Sequence, residues 1–144
     1  MFSGLLAAAA SAGIILSGPV PVSAAATDPA QLWVVDHTSH RIKNPAGNGC
    51  LTGAAPGYPT RLLGCTGVPP QIFVFEATIE DVSGILCLSS AGAFAPTTML
   101  RCSGSPTQAF VFHSATKTIR NRATGLCLTT TGLDQPTVMS ICAS

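Results

Sequence analysis

Charge is scarce in this chain. Only 9% of its 144 residues are Asp, Glu, Lys or Arg, and seven basic against six acidic side chains leave a formal net charge of +1. There is no basic run and no interleaving of aromatic with basic residues, which argues against nucleic acid as a partner, because phosphate contacts dominate such binding. Acids are equally thin: beyond Asp28 there are five, and Glu76, Glu80 and Asp81 fall together in one strand and the turn before it. Paired carboxylates for glycoside hydrolysis need two inward-facing acids across a cleft. Gly-x-Ser-x-Gly is absent, and so is the nucleophile elbow it would mark. The chain reads as no enzyme. It lacks Cys-x-x-Cys, so no zinc knuckle is indicated, and neither metal nor cofactor is expected. It lacks Asn-x-Ser/Thr, since Asn44 precedes Pro, Asn48 precedes Gly-Cys and Asn121 precedes Arg-Ala; N-linked sugar is not expected.

Long apolar runs are missing too. The apolar stretch Leu5 to Leu16 falls short of the ~20 residues a spanning helix needs, so the mature chain is expected to have no membrane span. Gly18, Pro19 and Pro21 and the small residues Val22-Ser23-Ala24-Ala25-Ala26 follow it. That order is the order of a secretory signal peptide, with cleavage after Ala24 or Ala26. The expected organisation is a signal peptide over 1–26, a short segment over 27–30, and one domain over 31–144, secreted to the extracellular space.

What the mature chain does have is one unit used three times. Each copy opens with Gln-x-aromatic, reaches an Ile eight residues before a Cys-Leu pair, and closes with Pro-Thr and a second Cys. The copies are Gln31-Leu-Trp33, Ile42, Cys50-Leu51, Pro59-Thr60 and Cys65; Gln71-Ile-Phe73, Ile79, Cys87-Leu88, Pro96-Thr97 and Cys102; Gln108-Ala-Phe110, Ile119, Cys127-Leu128, Pro136-Thr137 and Cys142. Their bounds are 31–70, 71–107 and 108–144. Periods of this length mark supersecondary units that bury a shared core. The second Cys follows the first by the same 15 residues each time. Within-repeat pairing gives every copy the same local geometry, so disulfides Cys50–Cys65, Cys87–Cys102 and Cys127–Cys142 are expected, consistent with an oxidising compartment.

Apolar residues come in short runs with strand chemistry rather than at helical spacing. In the third copy the expected strands are Phe110–Phe112, Thr118–Asn121, Leu126–Thr129 and Thr137–Cys142, separated by turn residues. About twelve strands and no helix make the chain all-β. Comparison of copies names the core: Trp33, Phe73 and Phe110; Ile42, Ile79 and Ile119; Leu51, Leu88 and Leu128; Leu62, Met99 and Met139. Twelve such residues suit a closed barrel capped by hairpins. The recurrent Gln is read as an amide that satisfies backbone where a loop meets a strand.

Gln-x-Trp/Phe, Ile-x-Asn, Gly before Cys-Leu, and a second Cys closing a hairpin together resemble the ricin-type lectin β-trefoil, over residues 31–144. The resemblance implies pseudo-threefold symmetry and shallow pockets, up to one per repeat, for galactose-like sugars. It implies an Asp two residues after each first Cys, where Thr52, Ser89 and Thr129 stand, and an aromatic two residues before each second Cys, where Leu63, Leu100 and Ser140 stand. The Asn that often precedes the Gln is Pro70 or Thr107. The sugar pockets therefore read as degenerate. A hydroxyl can bind a sugar OH, but a charge-assisted bond to carboxylate is roughly twice as strong.

Each copy offers instead a loop before Pro-Thr, carrying Tyr58, Phe94 or Leu133-Asp134. The candidate contacts are stacking on Tyr58 or Phe94 with hydrogen bonds from Thr52, Arg61, Ser89, Thr129 or Asp134. The bland alternative folds these aromatics back over the barrel mouth. The expected partner is a glycan or glycoconjugate; a protein partner held by the loops, as by a protease inhibitor or effector, is the alternative. His37 and His40 beside Asp36 read as a solvated turn rather than a metal or acid–base site, since the other copies do not reproduce them. Gly47-Asn48-Gly49 reads as a turn rather than a phosphate loop.

Overall fold

The computed structural model describes residues 28–143; the expected signal peptide lies outside them. Twelve strands form three four-stranded antiparallel sheets, each in sequence order. The first sheet is β1 (Val34–Asp36), β2 (Arg41–Asn44), β3 (Gly49–Thr52) and β4 (Arg61–Leu63). The second is β5 (Phe73–Phe75), β6 (Ile79–Asp81), β7 (Leu86–Ser89) and β8 (Thr98–Arg101). The third is β9 (Phe110–His113), β10 (Thr118–Asn121), β11 (Cys127–Thr130) and β12 (Thr137–Ser140). The third strand of the last copy thus runs one residue later than its sequence suggests, and the fourth stops two residues short of Cys142. This is the β-trefoil architecture.

Strand alternation explains the placement of the core. In β9, Phe110 is buried beside the half-buried Val111, and it pairs across to the buried Asn121. The twelve residues read from the repeat form one cluster, each no more than 2% exposed. Val35, Phe75 and Phe112, one from each first strand, pack against it. No long helix occurs among the described residues. Each copy begins with a single 3-10 turn, Pro29–Gln31, Pro69–Gln71 or Pro106–Gln108, whose proline sits at the first helical positions where no N–H is required.

Two rings of hydrogen bonds join the sheets. In the first, the backbone N–H of Trp33 donates to Lys117 O at 2.8 Å, Phe73 to His40 O at 2.8 Å, and Phe110 to Ala77 O at 3.0 Å. Each copy thereby begins on the first hairpin of the copy before it, cyclically. The second ring is made by the threonine of each Pro-Thr pair. Thr60 N donates to Thr97 O, Thr97 N to Thr137 O, and Thr137 N to Thr60 O, at 2.8, 2.9 and 2.9 Å. Their fully buried hydroxyls also touch one another, Thr60 with Thr97, Thr60 with Thr137 at 2.6 Å, and Thr97 with Thr137 at 2.7 Å. Buried hydroxyls need partners; here each supplies the other two.

Disulfides join Cys50 to Cys65, Cys87 to Cys102 and Cys127 to Cys142. Each closes a loop of 15 residues, a length that stabilises by ~3 kcal/mol in the chain-entropy account.

Candidate functional site

The hydroxyls two residues after each first Cys are committed to the fold. Thr52 Oγ1 donates to Cys50 O at 3.0 Å and accepts from Gln71 Nε2 at 3.2 Å. Ser89 Oγ donates to Cys87 O at 3.1 Å and accepts from Gln108 Nε2 at 3.0 Å. Thr129 Oγ1 donates to Cys127 O at 2.9 Å and accepts from Gln31 Nε2 at 3.2 Å. So the Gln of each copy holds the hydroxyl of the copy before it, and the ring closes between the third and the first. All three hydroxyl residues are buried. The same amides donate to Ile141 O, Gly64 O and Arg101 O, and their oxygens accept from Ala143, from Thr66 and Gly67, and from Ser103. The Gln is therefore a backbone clamp, as its recurrence suggests, with an added bond to a neighbour's hydroxyl that sequence alone does not reveal.

The loops before Pro-Thr are the exposed counterpart. Tyr58 is 65% exposed, Phe94 67% and Leu133 51%; the two aromatics are not buried over the barrel, while the Leu133 side chain lies against Gly49 of the first copy. The loops are nevertheless pinned. Gly57 N donates to Met99 O at 3.0 Å, Phe94 N to Met139 O at 2.6 Å, and Asp134 N to Leu62 O at 2.7 Å, each to a strand of the next copy. These three residues stand two before the proline in each copy, so Phe94 is the mate of Gly57 and Asp134, and Tyr58 is one residue out of register with it. All three have positive φ: 86° at Gly57, 63° at Phe94 and 70° at Asp134. A bulky aromatic in the left-handed region is an outlier of the kind that concentrates at functional sites. Arg61 Nη1 donates to Asp134 O at 2.9 Å, which brings these two candidate residues together across the first and third copies.

Asp36, His37 and His40 lie in the first hairpin, where Asp36 Oδ1 accepts from Thr38 N at 2.9 Å and Ser39 N at 3.1 Å. These N–H groups, Ser39 foremost and then Thr38, with Lys43 adding a smaller pull, hold the Asp36 carboxyl below its ordinary value. The carboxylate is a turn cap. Glu80 approaches the sulfurs of Cys87 and Cys102, but those sulfurs are joined as a disulfide and offer no thiolate to a metal.

The model of the ricin-type beta-trefoil lectin domain matches residues 52–144. The chain belongs to the ricin-type β-trefoil lectin family. An agglutinin from Abrus precatorius shares its fold, with a TM-score of 0.57 at 19% identity over 65% of this chain and 40% of that one. The chain therefore spans less than half the length of that protein. No curated protein matches it.

Against the ricin-type pattern, the positions of the pocket Asp are filled by the three clamped hydroxyls, and the positions of the stacking aromatic by Leu63, which is half-buried, Leu100, which is 43% exposed, and Ser140, whose hydroxyl lies 2.6 Å from Thr129 Oγ1. Beside these positions a cavity of about 290 Å3 lies between Gly53–Ala55, Pro69 and Pro70 at the end of the first copy and Asp81, Val82 and Met99 of the second. Asp81 carries no obvious sequence signal, since it stands in a strand as the third residue of Ile-x-Asn.

Proposed function

We propose that the protein is a secreted carbohydrate-binding protein, lectin-like, whose inherited pockets are degenerate and whose sugar contacts lie on the loops before Pro-Thr. No reaction is assigned to it; it acts by binding. The observation that carries the reading is the pair Tyr58 and Phe94, each about two-thirds exposed on loops whose backbones are pinned to neighbouring strands. An exposed aromatic face covers the C–H face of a pyranose, and a loop ordered before binding loses little conformational entropy when it binds. Phe94 is further held in a backbone conformation that glycine occupies in the first copy, a strain that fits a side chain kept for contact rather than for packing.

Arg61 and Asp134 supply polar groups beside these loops. Thr52, Ser89 and Thr129 do not enter the proposed surface, because their hydroxyls already donate to carbonyls and accept from amides. The apolar sequence ahead of the repeats and the three disulfides support secretion.

A glycan array on the refolded mature domain tests the reading. Binding that a free monosaccharide competes away supports it. Silence on the array, together with capture of a protein partner that sugar does not displace, would replace it with the protein-binding alternative.

A further inference from the structure

The threefold pattern breaks at one polar residue. Asn44 donates through Nδ2 to Pro29 O at 3.0 Å and Leu32 O at 2.9 Å, and its Oδ1 accepts from Gly47 N. Asn121 donates to Pro106 O, Thr107 O and Ala109 O, each at 3.2 Å, and its Oδ1 accepts from Thr124. Both amides thus tie the 3-10 turn of their copy to its second strand. In the second copy the position is Asp81. Its Oδ1 keeps the acceptor role, taking Ser83 Oγ at 2.6 Å and Leu86 N at 3.4 Å. An ionised carboxylate has no hydrogen to give, so Pro69, Pro70 and Ile72 receive no side-chain donor from it. Asp81 Oδ2 takes no hydrogen bond from any described residue.

The cavity of about 290 Å3 lies at this broken clamp, and Asp81 is the one charged residue of its lining. We propose that it is a sugar subsite in which Asp81 accepts a pyranose hydroxyl. A carboxylate oxygen with acceptor capacity left over calls for a ligand rich in O–H donors. Ala54, Ala55, Val82 and Met99 supply apolar wall for the C–H face of a ring. A single carboxylate leaves a cation such as calcium far short of its 6 to 8 oxygen ligands. The bond to carboxylate is charge-assisted, roughly twice as strong as one between neutral groups. The subsite adjoins the loop surface: Ala55 belongs to the loop of Tyr58, whose N–H donates to Ala55 O at 3.0 Å. It rests on the reading of this protein as sugar-binding.

The two methionines of the domain test it. Both are buried in the core, but Met99 also lines the cavity and its repeat mate Met139 does not. In mature protein labelled at the methionine methyls, methyl β-galactoside and the best glycan from the array should shift the Met99 signal and leave Met139 in place. Asp81→Asn restores the amide of Asn44 and Asn121; it should weaken binding at least tenfold and raise Tm by roughly 2 to 6 °C. Gly53→Ala is the second variant. Its Cβ would lie 3.4 Å from Met99 Cγ and 3.6 Å from Pro70 O, so it narrows the cavity without a clash and should also weaken binding while the fold holds.

Met99 and Met139 shifting alike, or Met99 silent to both sugars, overturns the subsite. Parental affinity in both Asp81→Asn and Gly53→Ala also overturns it, and if Tyr58→Ala with Phe94→Ala loses binding in the same assay, the loop reading stands without it. Loss of every sugar response in the parent overturns both.

Discussion

Gln71 reaches back from the second repeat to donate to Thr52 of the first, at 3.2 Å, while Thr52 donates to Cys50 O. One hydroxyl thus links a barrel strand, a disulfide-bearing residue and the next copy's opening turn. Thr52→Val keeps the shape and removes both bonds. It should cost about 1 to 3 kcal/mol, because Cys50 O and one Gln71 hydrogen are left without their partner in a buried place. It should leave sugar binding intact. Denaturant unfolding and the array measure the two halves; lost binding at full stability would return Thr52 to the binding surface.

Phe94→Gly should cost no stability and can add up to about 1 kcal/mol, because φ of 63° suits glycine and a side chain 67% exposed has little packing to lose. Sugar affinity should fall. A loss of more than about 1 kcal/mol in the melting experiment would show Phe94 to be a packing residue.

Trp33 is a core residue of the first repeat, and Trp33 Nε1 also donates to Leu128 O at 2.9 Å. Trp33→Ala should destabilise by ~3 to 5 kcal/mol. Trp33→Phe gives the residue its repeat mates carry, losing ring volume and one hydrogen bond, and should cost distinctly less. Equal melting of Trp33→Ala and the parent would remove Trp33 from the core.

Asp36 should titrate below the ordinary carboxylate value of 3.8, because the Ser39 and Thr38 N–H groups favour its charged form. A folded pKa below the unfolded one means that its contribution is present above the unfolded pKa and fades as pH falls through the folded one. The stability gap between the parent and Asp36→Ala should therefore be open at neutral pH and close in acid. An NMR midpoint at or above the ordinary value would contradict the turn-cap assignment.

The core was legible because repetition triples each signal: Trp33, Phe73 and Phe110 name one site together where any one alone would not. The disulfides were legible for the same reason. The Thr60–Thr97–Thr137 ring was not, because a Pro-Thr pair looks like turn chemistry and only the closed fold brings three such hydroxyls together. The exposure of Tyr58 and Phe94 was not decidable either, since a loop aromatic has no periodicity to show which way it faces. The role of Asp81 was not legible, because a carboxylate in place of the amide of Ile-x-Asn looks conservative until Asn44 and Asn121 are seen to hold carbonyls with the N–H groups it lacks.

The most direct test of a loop-borne sugar surface is the double variant Tyr58→Ala with Phe94→Ala, measured for glycan binding and for Tm on the same preparation. Exposed substitutions usually shift stability by less than ~0.5 kcal/mol, so the account predicts lost binding at a nearly unchanged Tm. Binding retained at the parental level would contradict it.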